Sequence, residues 1–399
     1  MSWCFPCLLP DGNMAGRISR TVRIGGFKTA SGTIDEVTLG GGSPVVIQTM
    51  WKDRLSFTDI EGEAGEVLIR RIKALGSMGC SLLRFAVPDM EAAEVLGNLS
   101  LMVTMPLAAD IHFDHRIALR CLDFPIAKLR INPGNIGPHG APGTREKVEA
   151  VLSRAAAKSR PIRIGVNGGS LSQDLRRRVD EGSLESAEAL VLAAERELAI
   201  FDEFGFRDVL VSMKASSVAD TIKANRMLAE RSDVPLHIGV TEAGPLIAGV
   251  VRNTAALVPL LADGLGDTIR VSLSDTMEKE VIAAREILGA VEEMAGGALR
   301  AERTKGGVKI VSCPRCGRSG FDTHGFTERW QDKLYAMDRN ITVAIMGCEV
   351  NGPGESRHAD IGITGAGNRV LIFRKGKIIR TIDAAGADAA FEEELEKLR

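Results

Sequence analysis

Eight times between Pro44 and Met294 a short run of apolar and β-branched residues gives way to a longer stretch in which apolar residues return every three or four positions. The short runs are Pro44–Thr49, Ser81–Val87, Met105–His112, Ile126–Ile131, Pro161–Val166, Asp208–Met213, Pro235–Val240 and Asp267–Ser272. The longer ones are Thr58–Met78, Met90–Leu99, Asp114–Leu122, Arg145–Lys158, Leu184–Phe204, Val218–Glu230, Leu246–Leu261 and Thr276–Met294. A period of two followed by a period near 3.6 marks a strand followed by a helix. Eight such units over about 250 residues predict a (β/α)8 TIM barrel. A doubly wound open sheet is the alternative. It normally carries a glycine-rich fingerprint after its first strand, and here Gly40-Gly41-Gly42 precedes that strand. Two shorter alternating runs, Thr21–Ile24 and Thr33–Leu39, predict a hairpin ahead of the barrel.

Polar residues gather where the strands end: Gln48, Arg84, Asp110 and His112, Arg130 and Asn132, Arg163 and Asn167, Lys214, Glu242, Arg270 and Ser272. Pairs two positions apart, such as Asp110/His112 and Arg130/Asn132, point to one face of a strand. Any one of them alone reads as an edge or surface position; repetition around eight strands does not. In a barrel the carboxyl ends of the strands carry the chemistry. Buried arginines need an anionic partner, because an unpaired charge in a closed lumen is very costly. Arg84, Arg130, Arg163 and Lys214 therefore predict a cationic mouth suited to a phosphate-bearing ligand. Asp110 and Glu242 either offset that charge or do acid–base work.

The formal net charge of -2 offers nothing global to nucleic acid or an acidic membrane, and only 4% of residues are aromatic. No apolar run reaches the roughly 18–20 residues of a membrane helix, and Met1–Pro10 makes a poor signal peptide, so the expected location is the cytoplasm. Seven cysteines in such a chain do not suggest a disulfide framework. Cys80 and Cys121 sit in apolar surroundings and read as buried structural thiols.

Helical periodicity fades after about Ala295, and Lys305-Gly306-Gly307 reads as a linker. The expected division is an N-terminal extension over 1–16, a barrel with its hairpin over 17–297, and a smaller α/β domain over 305–399. In the last, strands are expected at Lys309–Ser312, Ile341–Ile345, His358–Ile363 and Arg369–Arg374, with a helix at Thr327–Met337. This region holds Cys313-Pro-Arg-Cys316, and Cys348 follows in a glycine-rich loop that runs to Asn351-Gly352-Pro353-Gly354-Glu355. A CxxC turn aims two thiolates at one centre. A zinc ribbon usually wants a second such pair, though zinc could recruit His324 or His358 instead, and a redox disulfide would not need Cys348. An iron–sulfur cubane fits three thiolates with a weaker fourth ligand, for which Glu355 has the reach, although spacing alone favours a solvated loop carboxylate there. A hard carboxylate on cluster iron is more labile than thiolate.

The stretches Ala109–Asp114, Leu129–Gly137, Arg163–Asn167, Lys214–Ser216, Thr241–Gly244 and Asn351–Glu355 together resemble bacterial 4-hydroxy-3-methylbut-2-enyl diphosphate synthases, in order, from about residue 17 to the end. The resemblance implies a barrel followed by a cluster domain like those of sulfite and nitrite reductases. It implies a [4Fe–4S] cluster on Cys313, Cys316, Cys348 and Glu355. It also implies reductive ring opening and dehydration of 2-C-methyl-D-erythritol 2,4-cyclodiphosphate, with the diphosphate held by Arg84, Arg130, Arg163 and Lys214. Asp110, Asn135, Glu242 and Ser272 match positions lining the same pocket; Glu242 is the first choice of proton donor and Asp110 the second. Ferredoxin or flavodoxin is the implied electron donor, and the implied assembly is a homodimer in which one subunit's cluster domain caps the other's barrel. The turn Met50-Trp51-Lys52-Asp53-Arg54 departs from the Thr/Asn-rich turn usual in the family, so no substrate contact is assigned to it. Cys4 and Cys7 receive no role. The rival reading is a non-redox phosphate-binding barrel synthase with structural zinc in its tail.

Overall fold

A computed structural model describes residues 17–29, 32–112, 114–132, 143–294, 307–314, 316–337 and 339–398, with the side chain of Glu355 excepted. The chain divides into two compact units, Met1–Thr304 and Lys305–Arg399.

In the first unit, eight parallel strands follow one another around a barrel: β1 (Val46–Met50), β2 (Cys80–Val87), β3 (Leu107–Ile111), β4 (Lys128–Ile131), β5 (Ile162–Asn167), β6 (Val209–Lys214), β7 (His237–Ile238) and β8 (Thr268–Ile269). Strand β8 pairs with β1, and a single bridge between Val211 and Leu236 closes the ring from β6 to β7. The open-sheet alternative is thereby excluded. Each expected strand forms. The last two shrink to two residues because backbone beyond Ile238 and Ile269 leaves the ladder to shape the rim.

The helices pack outside by the periodicity that predicts them. In His115–Asp123 the buried residues are Ile117, Ala118, Cys121 and Leu122, one stripe of the helix. Asp114 caps its first turn by accepting from the Arg116 amide at 2.9 Å. One helix, Gln173–Asp180, was not expected: it buries only Leu175 and has almost no apolar signal.

The leading hairpin seals the floor of the barrel. Val22–Ile24 pairs antiparallel with Val37–Leu39, and a short ladder joins Lys28–Thr29 to Gly32–Thr33. Ile24, Ile34, Val37 and Leu39 pack against Val46, Leu82, Ala108, Ala127 and Leu210 at the strand starts. That packing covers the strand starts with apolar side chains and leaves the strand-end polar side chains to the opposite, carboxyl end.

The second unit is a five-stranded sheet in the order β9 (Lys309–Ser312), β10 (Thr342–Met346), β11 (Ile361–Ala366), β12 (Arg369–Arg374), β13 (Lys377–Asp383). The first three strands run parallel and the last two turn back antiparallel. Helices Thr323–Tyr335 and Ala387–Glu396 cover one face through Phe326, Trp330, Leu334 and Phe391. Strand β13 and the final helix were not foreseen. The strand is an edge whose residues are mostly exposed, which erases the period-two burial that marks a strand. No helix among the described residues is long and apolar enough to cross a membrane.

Candidate functional site

The barrel lumen is cationic. Lys128 and Arg130 on β4 point inward, two residues apart, and Lys128 donates to Gln48 Oε1 on β1 at 2.8 Å. Strands β1 and β4 are not neighbours, so that bond crosses the interior. Neighbouring registers place Asp110, Arg130 and Arg163 side by side on β3, β4 and β5. Arg84 Nε lies 3.3 Å from Asp110 Oδ2, and Arg130 donates to Asp110 Oδ1 at 3.1 Å and contacts His112 Nε2 at 2.8 Å. Burial opposes ionisation of Asp110, yet Arg84, the His112 hydrogen bond, Arg130 and Arg163 outweigh it and hold the carboxyl far below the usual carboxylate range. Asp110 is a structural anion here and a poor proton donor.

Glycine makes room for these heads. A Cβ at Gly165 would fall 2.3 Å from Arg130 Nε, and one at Gly239 would fall 2.8 Å from Lys214 Nζ. Any side chain at either position would displace a cation from the mouth.

Six cations, Arg84, Lys128, Arg130, Arg163, Lys214 and Arg270, share the lumen and its rim with the carboxylates of Asp110 and Glu280. The imbalance registers in their acidity. Burial, followed by repulsion from neighbouring cations, pushes Lys128, Arg163 and Lys214 well below their ordinary values. Arg84 is lowered to about 10, chiefly by burial. Arg163 is 2% exposed, and its Nε and Nη1 have no acceptor among the described residues. A buried guanidinium with two idle donors costs several kcal/mol unless an anion meets it, on the order of the penalty for an unpaired buried charge. His237, at 0% exposure, lies beneath the same cluster, and burial followed by Arg163, Lys214 and Lys128 keeps its imidazole neutral.

Of the expected binding residues, the structure gathers Arg84, Arg130, Arg163 and Lys214 in one cluster with Asp110. Ser272 is half-buried on the rim after β8. Glu242 is exposed at the end of β7 with φ of +52°, a left-handed conformation costly for a residue with a Cβ. Asn135 lies outside the described residues, as do Cys4 and Cys7. Sequence reasoning missed Lys128, His237 and Glu280. Lys128 and His237 stand at strand starts among apolar neighbours, and Glu280 is on a helix, where a carboxylate normally means solvent. The alternation in Lys128-Leu-Arg130-Ile was the one available signal.

In the second unit, β9 and β10 are adjacent and parallel, so Cys313 and Cys348 both follow carboxyl ends on one edge of the sheet. The Gly347 amide donates to Cys313 Sγ at 3.0 Å. Cys348 Sγ lies 3.6 Å from Asn351 Oδ1, and the Cys348 carbonyl accepts from the Gly352 amide at 3.0 Å and from Thr364 Oγ1 at 2.8 Å. Residues Val350–Glu355 form a single wide helical turn containing Pro353. Gly352 is required there, since a Cβ would meet Thr364 at 2.7 Å. Cys316 is exposed, and hydrogen bonds from the backbone and side chain of Arg318 lower its thiol. Among the described residues no three His, Cys, Asp or Glu side chains already converge on one point. The donor set nonetheless suits an iron–sulfur group: three thiols on turns, one already accepting a backbone N–H, as cluster sulfurs do. Cys80 and Cys121 are buried, and burial pushes their thiols up to about 11 and about 12, which makes them inert.

Comparison with known proteins covers both units. Residues 29–285 match the model of the GcpE TIM-barrel domain, and residues 309–397 that of the GcpE protein C-terminal domain. A 4-hydroxy-3-methylbut-2-en-1-yl diphosphate synthase (flavodoxin) of Treponema pallidum is 47% identical over 396 residues, 95% of this chain and 92% of that protein. Proteins of the same name from Treponema denticola and Geobacter sulfurreducens are 45% and 42% identical, over 96% and 93% of this chain and 99% and 98% of their own. Among solved structures, the barrel is similar to a Yersinia pestis dihydropteroate synthase at a TM-score of 0.41 and 15% identity, over 65% of this chain and 96% of that one. A type I 3-dehydroquinate dehydratase from Clostridium difficile gives 0.43 and 14%, over 70% and 98%.

Proposed function

The chain belongs to the GcpE family, and from that premise we propose how its own residues carry out the family's reaction. It is an iron–sulfur oxidoreductase of isoprenoid biosynthesis that uses flavodoxin as electron donor and reduces 2-C-methyl-D-erythritol 2,4-cyclodiphosphate to 4-hydroxy-3-methylbut-2-enyl diphosphate. The rival, a non-redox synthase with structural zinc, is not favoured beside relatives of that name.

The observation that carries the site reading is Arg163, deeply buried with two idle donors among the other lumen cations and beside the Asp110 carboxylate. The cyclic diphosphate sits at the barrel mouth, its phosphoryl oxygens taken by Arg84, Arg130, Arg163 and Lys214, with Asn135 and Ser272 completing the pocket. Binding replaces cation–cation repulsion with charge-assisted hydrogen bonds, so recognition relieves an electrostatic strain built into the free lumen. Asp110 holds Arg84 and Arg130 in place; its paired carboxylate leaves Glu242 as the proton donor to the departing hydroxyl. The exposed, left-handed backbone at Glu242 supports this, since strain of that kind gathers at working positions.

The second unit holds a [4Fe–4S] cluster on Cys313, Cys316, Cys348 and Glu355, supported by the three thiols and the N–H on Cys313 Sγ. When bound there, the cluster supplies electrons one at a time and a Lewis-acidic iron. Gly347 and Gly352 stand where a side chain would strike Ser319 and Thr364, and Thr364 holds the Cys348 carbonyl by a hydrogen bond of 2.8 Å, so both turns that would carry the cluster are packed tightly. Protein purified without air is expected to carry about four irons per chain and to absorb broadly near 400 nm. One zinc per chain in its place would overturn the cofactor assignment.

A further inference from the structure

Glu280 lies on the helix Met277–Met294, yet its carboxylate is 1% exposed and reaches the seam where β8 meets β1. Oε2 accepts from Thr49 Oγ1 at 2.7 Å and from Arg270 Nε at 3.1 Å. Oε1 accepts from Arg270 Nη2 at 3.0 Å, from the Leu273 amide at 3.0 Å and from Lys52 Nζ. The same Lys52 ammonium donates to the Leu273 carbonyl at 3.0 Å. One buried anion thus joins the turn after β1 to the rim after β8 and fixes the backbone beside Ser272. Arg270 spends Nε and Nη2 on Glu280. Its Nη1 meets only the Met50 sulfur, at 3.8 Å, among the described residues. That edge faces a neighbourhood already shared with Arg84 and Lys214, whose charges Arg270 perturbs.

We infer that Lys52 and Glu280 form a clamp that positions Arg270 and the Ser272–Leu273 backbone for the substrate's diphosphate, with Lys52 acting through Glu280 and not on the phosphate itself. The inference rests on the mouth being a diphosphate site. Without Lys52, Glu280 and Arg270 would neutralise each other one to one, and the guanidinium would lose its pull on a phosphoryl oxygen. With Lys52 the carboxylate is shared, and Arg270 keeps a net positive edge turned to the ligand. Lys52 is a positioning residue in this scheme, placed in a turn to which the sequence assigned no contact.

The test is calorimetric titration of inorganic diphosphate into the full chain, which needs no turnover. Lys52→Met should weaken binding by about tenfold with an unchanged melting temperature, while Lys52→Arg should stay within about threefold of the parent. In a Glu280→Gln background, Lys52→Met should change affinity by less than about twofold, since the group it acts through is gone. Full affinity in Lys52→Met overturns the clamp, and so does an equal loss in both backgrounds, which would mark Lys52 as a direct contact. Should Glu280→Gln fail to fold, full affinity in Lys52→Met still overturns the clamp, and Thr49→Val, which also loosens Glu280, serves as the second background. Arg130→Met separates the two levels: if it abolishes binding while Lys52→Met does nothing, the clamp alone falls. A parent protein that takes up no diphosphate overturns the site reading, and the clamp with it.

Discussion

Residue by residue, the mouth trades stability for recognition. Removing Arg130 takes away a guanidinium held by Asp110 and His112 and aimed into the lumen. Arg130→Met is expected to weaken substrate binding by about 2–4 kcal/mol, as for other buried charge-assisted contacts; unchanged affinity in a direct binding measurement would count against the cationic mouth. Gly165→Ala should do nearly as much without altering any charge, because its methyl group would occupy the space of Arg130 Nε. Glu242→Gln belongs to the chemical step. It should bind diphosphate as the parent does and keep its iron, yet lose turnover by about 100-fold or more. Normal turnover in that variant would transfer the proton-donating role elsewhere. The charged residues at strand ends could be read from the sequence because a two-residue repeat fixes which face they share. Their partners could not be read. Nothing in the order of residues says that Asp110 is pinned by two arginines or that Lys128 meets Gln48 across the barrel.

At the scale of elements, apolar periodicity located every barrel strand and most helices, since in a closed barrel each element must bury a stripe to persist. It failed where burial fails. Strand β13 is mostly exposed, and Gln173–Asp180 buries a single leucine. The second unit depends on an aromatic cluster in which Phe391 meets Phe326 at 5.3 Å and Trp330 at 5.1 Å, edge to face. Phe391→Ala is expected to cost about 3–5 kcal/mol. Faster amide exchange at Val343 and Ile345 would report it. If exchange there is unaltered, the final helix is not what holds the sheet's covered face.

At the scale of the whole molecule, the hairpin covers the strand-start end of the barrel, and the sheet unit gathers Cys313 and Cys348 at one edge. We carry the homodimer implied by the family resemblance as part of the same proposal. Sedimentation at micromolar concentration should give one species near twice the 42.7 kDa of the chain; a species of single-chain mass would remove the second subunit from the scheme.

The linear sequence by itself determined the eightfold alternation, the face on which the strand-end cations lie, and the thiol set of the tail. These follow from backbone periodicity and residue chemistry, which are local properties. Only the tertiary structure decided which charges are compensated. Ring closure brings β8 to β1 and a helix carboxylate to Lys52 and Thr49, contacts made across more than two hundred residues of chain. Coulomb energies depend on distances through a low-dielectric interior, and those distances exist only once the barrel has closed.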